Sequence, residues 1–338
     1  QKQVLISINI CPEVNMQKKI LEILTSAEDY VSGQSISEQL GISRQAVWKG
    51  INSLKERGYD IKSLQNKGYK LVSSPEHMDQ CMLENLLVNN KIIGKNIIVL
   101  DSVGSTNDYL KQLGSDGCPN GTVVTTREQV SGKGRLGRVW QSKRDENIAF
   151  SVLLRPHMTP SEVTAITPLA GLAVCKALRD FTGLDCMIKW PNDIVVGRKK
   201  IVGILTEMSA EFDAVEYTVT GIGINVDQAV FPEEIAYKAT SVLLETGRHF
   251  DKNKLLACVL EHLEAEFLSN NLELTPTALA EYSDMCISIG KSVTFQRGTR
   301  RISGMAVGVE NDGELKIMLS DGTICNVNSG EVTVQGIY

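Results

Sequence analysis

The chain has 338 residues, is 42% hydrophobic and 22% charged, and carries a formal net charge of −5. That balance belongs to an ordinary globular protein, long enough for two or three domains and for a core that needs no disulfide or metal staple. An acidic total excludes polyanion binding by bulk charge, so any such contact has to come from a local basic region. The eight cysteines are irregularly spaced and contain no C-x-x-C pair, which argues against a zinc site or a disulfide framework. Several, such as Cys175, sit in apolar runs and read as small buried hydrophobes, which favours a reducing compartment and predicts a cytoplasmic location. No stretch reaches the about 18 apolar residues that span a bilayer. Residues 1–10 lack the small-residue cleavage site of a signal peptide. Met16 precedes a helical pattern and reads as a candidate start, with residues 1–15 an extension of no evident role.

In chain order, Ile20, Leu21, Ile23 and Leu24 give residues 17–25 the spacing of an amphipathic helix. Ser35 followed by Glu38 is a capping box, predicting a short helix that starts at Ser35 and stops at Gly41. Ser43 caps the next helix, which carries Val47, Ile51 and Leu54 on one face and ends at Gly58. Residues 59–64 and 69–72 read as a hairpin. Together these elements outline a winged helix-turn-helix over residues 16–74. Residues 41–72 hold seven basic groups, Arg44, Lys49, Lys55, Arg57, Lys62, Lys67 and Lys70, against Glu56 and Asp60, a local net of +5. A positive helix and wing on an acidic chain predict DNA contact. Arg44 and Gln45 lie near the helix N-terminus, where base edges are read, with Lys49 and Asn52 on or near the same exposed face; Lys62 and Lys67 reach phosphate from the wing. Trp48 lies on or near the same face and is ambiguous between that face and core packing, with core packing the favoured reading. A lone winged helix binds weakly, so a dimer on a two-fold operator is expected.

The polar residues 73–76 read as a linker. Over 82–285 follows an α/β (α+β) pattern, with strands expected at 92–100, 121–126, 147–154, 187–189, 201–208 and 215–226. Helices are expected from a Ser105 cap through 113, over 161–181 with a stop at Gly183, and from an Asp251 cap through 267. From 288 the pattern becomes short strands with Asn-Asp-Gly and Ser-Asp-Gly turns at 311–313 and 320–322, read as a small β-barrel over 286–338.

The most informative stretch runs from 129 to 140. Gly132, Gly134 and Gly137 alternate with Lys133, Arg135 and Arg138. Glycine lets backbone approach a ligand, and arginine offers a planar fork to phosphate or carboxylate, so the loop reads as an anion cradle. It matches G-x-G-x-x-G, but no helix opens after it and cations fill its variable positions, so a dinucleotide site is not expected. Read alone it has a solvated basic turn as its lesser alternative. It is flanked, however, by Ser105, Thr106 and Asn107 upstream and by Lys-Trp-Pro-Asn-Asp at 189–193 downstream. Then come Arg-Lys-Lys-Ile-Val-Gly-Ile-Leu at 198–205 and Gly-Ile-Gly-Ile-Asn at 221–225.

This order of motifs resembles the biotin protein ligase family, over residues 16–338, in the bifunctional form that also represses a biotin operon. The resemblance implies a winged helix-turn-helix, a central class II synthetase-like mixed-sheet ligase domain and a C-terminal SH3-like barrel. It also implies two chemical steps. Biotin's carboxylate attacks the α-phosphate of ATP to give biotinyl-5′-AMP, and a lysine of biotin carboxyl carrier protein then takes the biotinyl group. By resemblance, Ser105, Thr106, Asn107 and Gln129 hold the biotin head; read from sequence alone, the first three are equally a helix cap. Gly132, Lys133, Gly134 and Arg135 wrap the tail and the adenylate. Lys200, rather than its neighbour Lys199, grips the biotin carboxylate, and Lys189 and Asp193 complete the catalytic set. Arg138, Trp140, Asn192 and Asn225 are expected at ATP, with simple core packing the alternative for Trp140. Mg2+ is expected to arrive on the phosphates, without a carboxylate cage. Lys133 and Leu136 stand where other members carry arginine or a further cation, and the cradle keeps Arg135 and Arg138. The resemblance further implies that bound adenylate promotes the homodimer. Two alternatives are a biotin sensor without ligase activity, which pyrophosphate release would separate, and a ligase with a vestigial DNA-binding domain, which a biotin-dependent gel shift would separate.

Overall fold

The computed structural model describes residues 12–211, 213–297, 299–328 and 332–337. Residues 1–11 of the N-terminal extension lie outside them. The chain forms two compact units that divide between Asn89 and Asn90.

The first unit holds α1 (Pro12–Ser26), α2 (Gly33–Leu40), α3 (Arg44–Glu56), the hairpin β1 (Asp60–Leu64) and β2 (Gly68–Ser73), and α4 (Gln80–Leu86). Its core joins Ile20, Leu21 and Leu24 of α1 to Ile36 of α2 and to Val47, Ile51 and Leu54 of α3. Gly41, at φ +65, closes α2 in the left-handed region that glycine tolerates, and Ser43 caps α3 by accepting from Ala46 N. One expectation needs correction. The cap of α2 is Ser32, whose Oγ accepts from Ser35 N at 3.0 Å, one turn before the expected Ser35. Paired backbone bonds between Val31 and Tyr69, both 2.8 Å, hold the chain extended up to Ser32, so the helix starts as soon as that constraint ends. Glu38 accepts from the Gln34 side chain instead.

The first compact unit continues past the polar stretch 73–76 as far as Asn89. Asp79, 3% exposed, caps α4 through Met82 N and accepts from Tyr59 Oη and Arg57 Nη2, both at 2.6 Å. A buried carboxylate satisfied three ways binds α4 to the end of α3 and the start of β1. Arg57 therefore spends its charge internally and does not belong to the basic face.

The second unit is built on a seven-stranded mixed sheet of order β3-β4-β7-β11-β10-β9-β8, in which β3 and β4 alone pair in parallel. The strands are β3 (Ile97–Leu100), β4 (Val123–Thr126), β7 (Ile148–Leu154), β8 (Cys186–Lys189), β9 (Asp193–Val196), β10 (Lys199–Glu211) and β11 (Ala214–Ile224). Between β4 and β7 a separate antiparallel hairpin, β5 (Gln129–Lys133) and β6 (Val139–Ser142), carries the glycine-rich stretch. α5 (Thr106–Ser115) packs on β4, β7 and β11. The nearly all-buried α6 (Ile166–Thr182) packs on β8, β9 and β10, with α9 (Lys252–Ser269) layered over it. Short α7 (Glu233–Ala236) and α8 (Val242–Thr246) precede α9, and α10 (Pro276–Met285) follows it.

The chain ends in an antiparallel five-stranded sheet of order β15-β14-β13-β12-β16. Its strands are β12 (Ser292–Arg297), β13 (Arg300–Val309), β14 (Leu315–Met318), β15 (Ile324–Val327) and β16 (Val332–Val334). It is anchored through Trp190, whose backbone N donates to Ser288 Oγ at 3.1 Å and whose Nε1 donates to Gly313 O at 2.9 Å. Among the described residues no helix is long and apolar enough to cross a membrane.

Candidate active site and nucleic-acid interface

The floor of a cleft is made where β10 and β11 run side by side. Gly203 and Gly223 are register partners there. The indole of Trp140, from β6, lies against both. A Cβ on Gly223 would stand 2.3 Å from Trp140 Cε2, and one on Gly203 2.8 Å from Cζ3. These glycines are needed for space, because any side chain would evict the ring. Trp140 Nε1 is buried and has no hydrogen-bond partner among the described residues, an unmet donor inside the cleft.

At one end of the cleft, Ser105 caps α5, and its helix presents Thr106 and Asn107 inward. Gln129 Oε1 accepts from Thr106 N at 2.9 Å and from Thr106 Oγ1 at 3.1 Å. Ser151, on β7, lies within hydrogen-bonding distance of Thr106 Oγ1 and Asn107 Oδ1. Asn107 Nδ2 donates to Glu207 Oε2 at 2.8 Å. The result is a compact set of donors and acceptors held by one helix N-terminus and three strands.

The other end is cationic. Lys200 Nζ is 2.5 Å from Asp193 Oδ1 and 5.5 Å from the centroid of the Trp140 ring. Arg135, in the turn of the β5–β6 hairpin, donates to Asn192 Oδ1 at 3.2 Å, and Asn192 Nδ2 donates to Ile204 O. Lys189 is 8% exposed. Burial pushes its ammonium down to about 8, with Lys200 and Arg138 pushing the same way and Asp193 opposing them. Lys133 reaches back from the hairpin to Asp108 of α5 at 2.6 Å. The space enclosed, open mouth included, is about 470 Å3. Such a cleft offers hydrogen-bonding groups at one end and clustered cations at the other, beside the glycine-rich hairpin.

In the first unit, Arg44, Gln45, Lys49, Lys62 and Lys67 are exposed and Asn52 is half-buried. Lys55 donates to Ser63 Oγ, and Lys70 is engaged by Glu28 O and by Asp29 at 3.6 Å. Trp48 is 55% exposed, which corrects the expectation of core packing. The buried face of α3 is filled by Val47, Gly50, Ile51 and Leu54, so the indole has no place in it.

Comparison with known proteins bears on both units. The profile of an HTH domain matches residues 16–70, that of the biotin/lipoate A/B protein ligase family residues 99–225, and that of the biotin protein ligase C-terminal domain residues 288–334. The chain is 33% identical to the bifunctional ligase/repressor BirA of Bacillus subtilis, over 91% of this chain and 95% of that protein. The chain belongs to the biotin protein ligase family. The bifunctional ligase/repressor BirA of Escherichia coli is 28% identical over 94% of this chain and 96% of its own length. A solved biotin protein ligase from Aquifex aeolicus, in complex with biotin and ATP, is 30% identical with a TM-score of 0.61, covering 71% of this chain and 99% of that one.

Of the residues expected in the family's site, Ser105, Thr106, Asn107, Gln129, Lys133, Gly134, Arg135, Trp140, Asn192 and Lys200 line this one cleft. Gly132 packs between Gln129 Nε2 and the Trp140 carbonyl, and with Arg138 it lines an adjoining pocket that shares Lys133, Gly134, Arg135 and Leu205 with the cleft. Asp193 and Lys189 stand behind Lys200. Asn225 is buried beside the cleft, where its Nδ2 donates to Thr240 O at 3.0 Å. Sequence reasoning missed Ser151, Gly203, Gly221 and Gly223. The glycines sit inside quoted motifs, but only strand pairing shows that Gly221 leaves room for Asn107, whose Oδ1 would lie 2.1 Å from an added Cβ. Ser151 carries no sequence signal, being one small residue in a buried strand.

Proposed function

We infer that this chain ligates biotin to a lysine of biotin carboxyl carrier protein through biotinyl-5′-AMP and represses transcription in response to biotin. The carrying observation is that a polar end, a cationic end and a glycine-rich hairpin converge on a single cleft. Ser105, Thr106, Asn107 and Gln129 bind the ureido head, for which paired donors and acceptors are the right chemistry. The tail then points along the Trp140 face toward Lys200. Lys200 holds the carboxylate against the α-phosphorus. A carboxylate oxygen forms the new P–O bond as the bond to pyrophosphate breaks, and negative charge on the phosphoryl oxygens is met by Lys200, Lys189 and Arg138. Preorganised donors of this kind are each worth roughly 10²–10³ in rate. Arg135 and Gly132–Gly134 hold the adenylate under the hairpin. Trp140 and Asn192 contact the nucleotide, with Asn225 behind them. Asp193 positions Lys200 and accepts from the incoming lysine amine, which attacks the acyl carbon and releases AMP.

Mg2+ accompanies ATP. Bound with the nucleotide, the ion would be held mainly by phosphate oxygens and water and would neutralise phosphate charge. In the first unit, Arg44, Gln45, Lys49 and Asn52 face base edges while Lys62 and Lys67 hold phosphate. The functional segments are 16–74 for operator binding, 82–285 for catalysis and 286–338 as the C-terminal cover. The protein acts in the cytoplasm and pairs as a homodimer when the adenylate is bound. Transfer of labelled biotin to a carrier domain tests the ligase reading. Label is expected on the carrier only with ATP present, and no transfer under any condition refutes it. A gel shift that needs both biotin and ATP tests the repressor reading.

A further inference from the structure

One exposed tryptophan is left without a role. Of the chain's three tryptophans, Trp190 is buried in the anchor of the terminal sheet and Trp140 lies in the cleft. Trp48 is 55% exposed, on the second turn of α3. Helical spacing puts it directly after Arg44 and beside Gln45, Lys49 and Asn52 on one stripe, opposite Val47, Gly50, Ile51 and Leu54. Neither unit-one aromatic near it shares this exposure: Tyr59 is buried and Tyr69 packs against the core.

We infer that Trp48 reads thymine, its indole packing on a C5-methyl group in the major groove while Arg44, Gln45 and Lys49 bind around it. This rests on the DNA-binding reading above and goes further in assigning a base. The argument is one of matching chemistry. The exposed stripe of α3 is cationic and polar, which fits an anionic duplex and disfavours a basic or apolar protein surface. Within the major groove the thymine methyl is the apolar feature on the base edges, and hydrogen-bonding side chains cannot read it. An indole among Arg, Gln, Lys and Asn supplies the one contact those residues lack. Because more than half of the Trp48 surface is open to solvent, that surface is available when the helix enters the groove.

The test starts from selection of binding sites out of a random double-stranded DNA pool by the full-length protein with biotin and MgATP. Each thymine of the selected site is then replaced by uracil, which removes only the methyl group. Wild-type protein is expected to lose about tenfold in affinity at one thymine in each half-site, the size of a typical single-position defect. Trp48→Ala should bind the thymine site about tenfold more weakly than wild type, with no further loss at uracil, and Trp48→Phe should recover part of the discrimination. Ligase activity and melting temperature are expected to be unchanged in both variants, since the side chain supports no core. A flat uracil scan, or a Trp48→Ala variant that still discriminates thymine from uracil, overturns the inference. Failure of wild-type protein to select any sequence overturns the DNA-binding reading itself.

Discussion

Replacing Lys200 by Met removes the cation nearest the expected reacting carboxylate and keeps most of the side chain's bulk. Two consequences follow and have to be separated. The first is catalytic. Loss of one preorganised charge at the phosphoryl transition state costs about 3–4 kcal/mol, or roughly 10²–10³ in rate. The second is structural. Lys200 Nζ lies 2.5 Å from Asp193 Oδ1, and the Asp193 side chain is 14% exposed. Stripping the partner from a largely buried carboxylate costs about 1–3 kcal/mol or more in stability. The double variant Lys200→Met, Asp193→Asn relieves that second cost by removing the stranded charge. Biotin-dependent ATP–pyrophosphate exchange measures adenylation, and thermal melting measures stability. The single variant is expected to be slow and destabilised, and the double variant stable and still slow. Exchange within about tenfold of wild type in the single variant refutes the role of Lys200. Recovery of exchange in the double variant shows instead that Lys200 only neutralises Asp193.

Other outcomes follow from the same cleft. Arg135→Gly loses a charge-assisted contact worth about 1.5–3 kcal/mol, so adenylate should escape roughly ten- to hundredfold faster and label bystander lysines; labelling confined to the carrier would contradict this. Gly223→Ala places a methyl 2.3 Å from Trp140 Cε2, and overpacking of about 1–3 kcal/mol should weaken biotin binding roughly tenfold by calorimetry while the protein stays folded. Lys189, pushed down to about 8, is cationic below that pH and neutral above it. Adenylation should therefore fall as pH rises through about 8, and Lys189→Met should be slower at pH 7 and lack that inflection.

Much of the architecture was legible because it rests on local chemistry. Ser43, Gly41, Ser105, Gly183 and Asp251 end or begin helices through their own side chains or their own φ. The hairpin turns of the terminal sheet are equally local. What stayed hidden depends on distant partners. The glycine-rich hairpin lacks apolar alternation, and its strand character comes from pairing Gly132 with Trp140 and Lys133 with Val139. β9 is four residues long and overlaps a motif read for chemistry, so its place between β8 and β10 could not be seen. Ser32 displaced Ser35 because Val31 is tied to Tyr69, and Arg57 left the basic face because Asp79, 22 residues on, claims it. Trp48 was misplaced because hydrophobicity alone sends tryptophan inward, whereas the helix had already filled its core face with Val47, Ile51 and Leu54. The cleft's cations could be listed from motifs, but their convergence on Trp140 and the glycine floor needed three dimensions.

The central claim is that one cleft brings vitamin and nucleotide together under the hairpin. Native mass spectrometry of the protein mixed with biotin and MgATP addresses it directly. The account predicts one biotinyl-5′-AMP held per chain, formed and retained without any carrier, and its formation roughly 10²–10³-fold slower in the Lys200→Met variant. Biotin and ATP bound side by side without conversion, or adenylate accumulating equally fast in that variant, would contradict it.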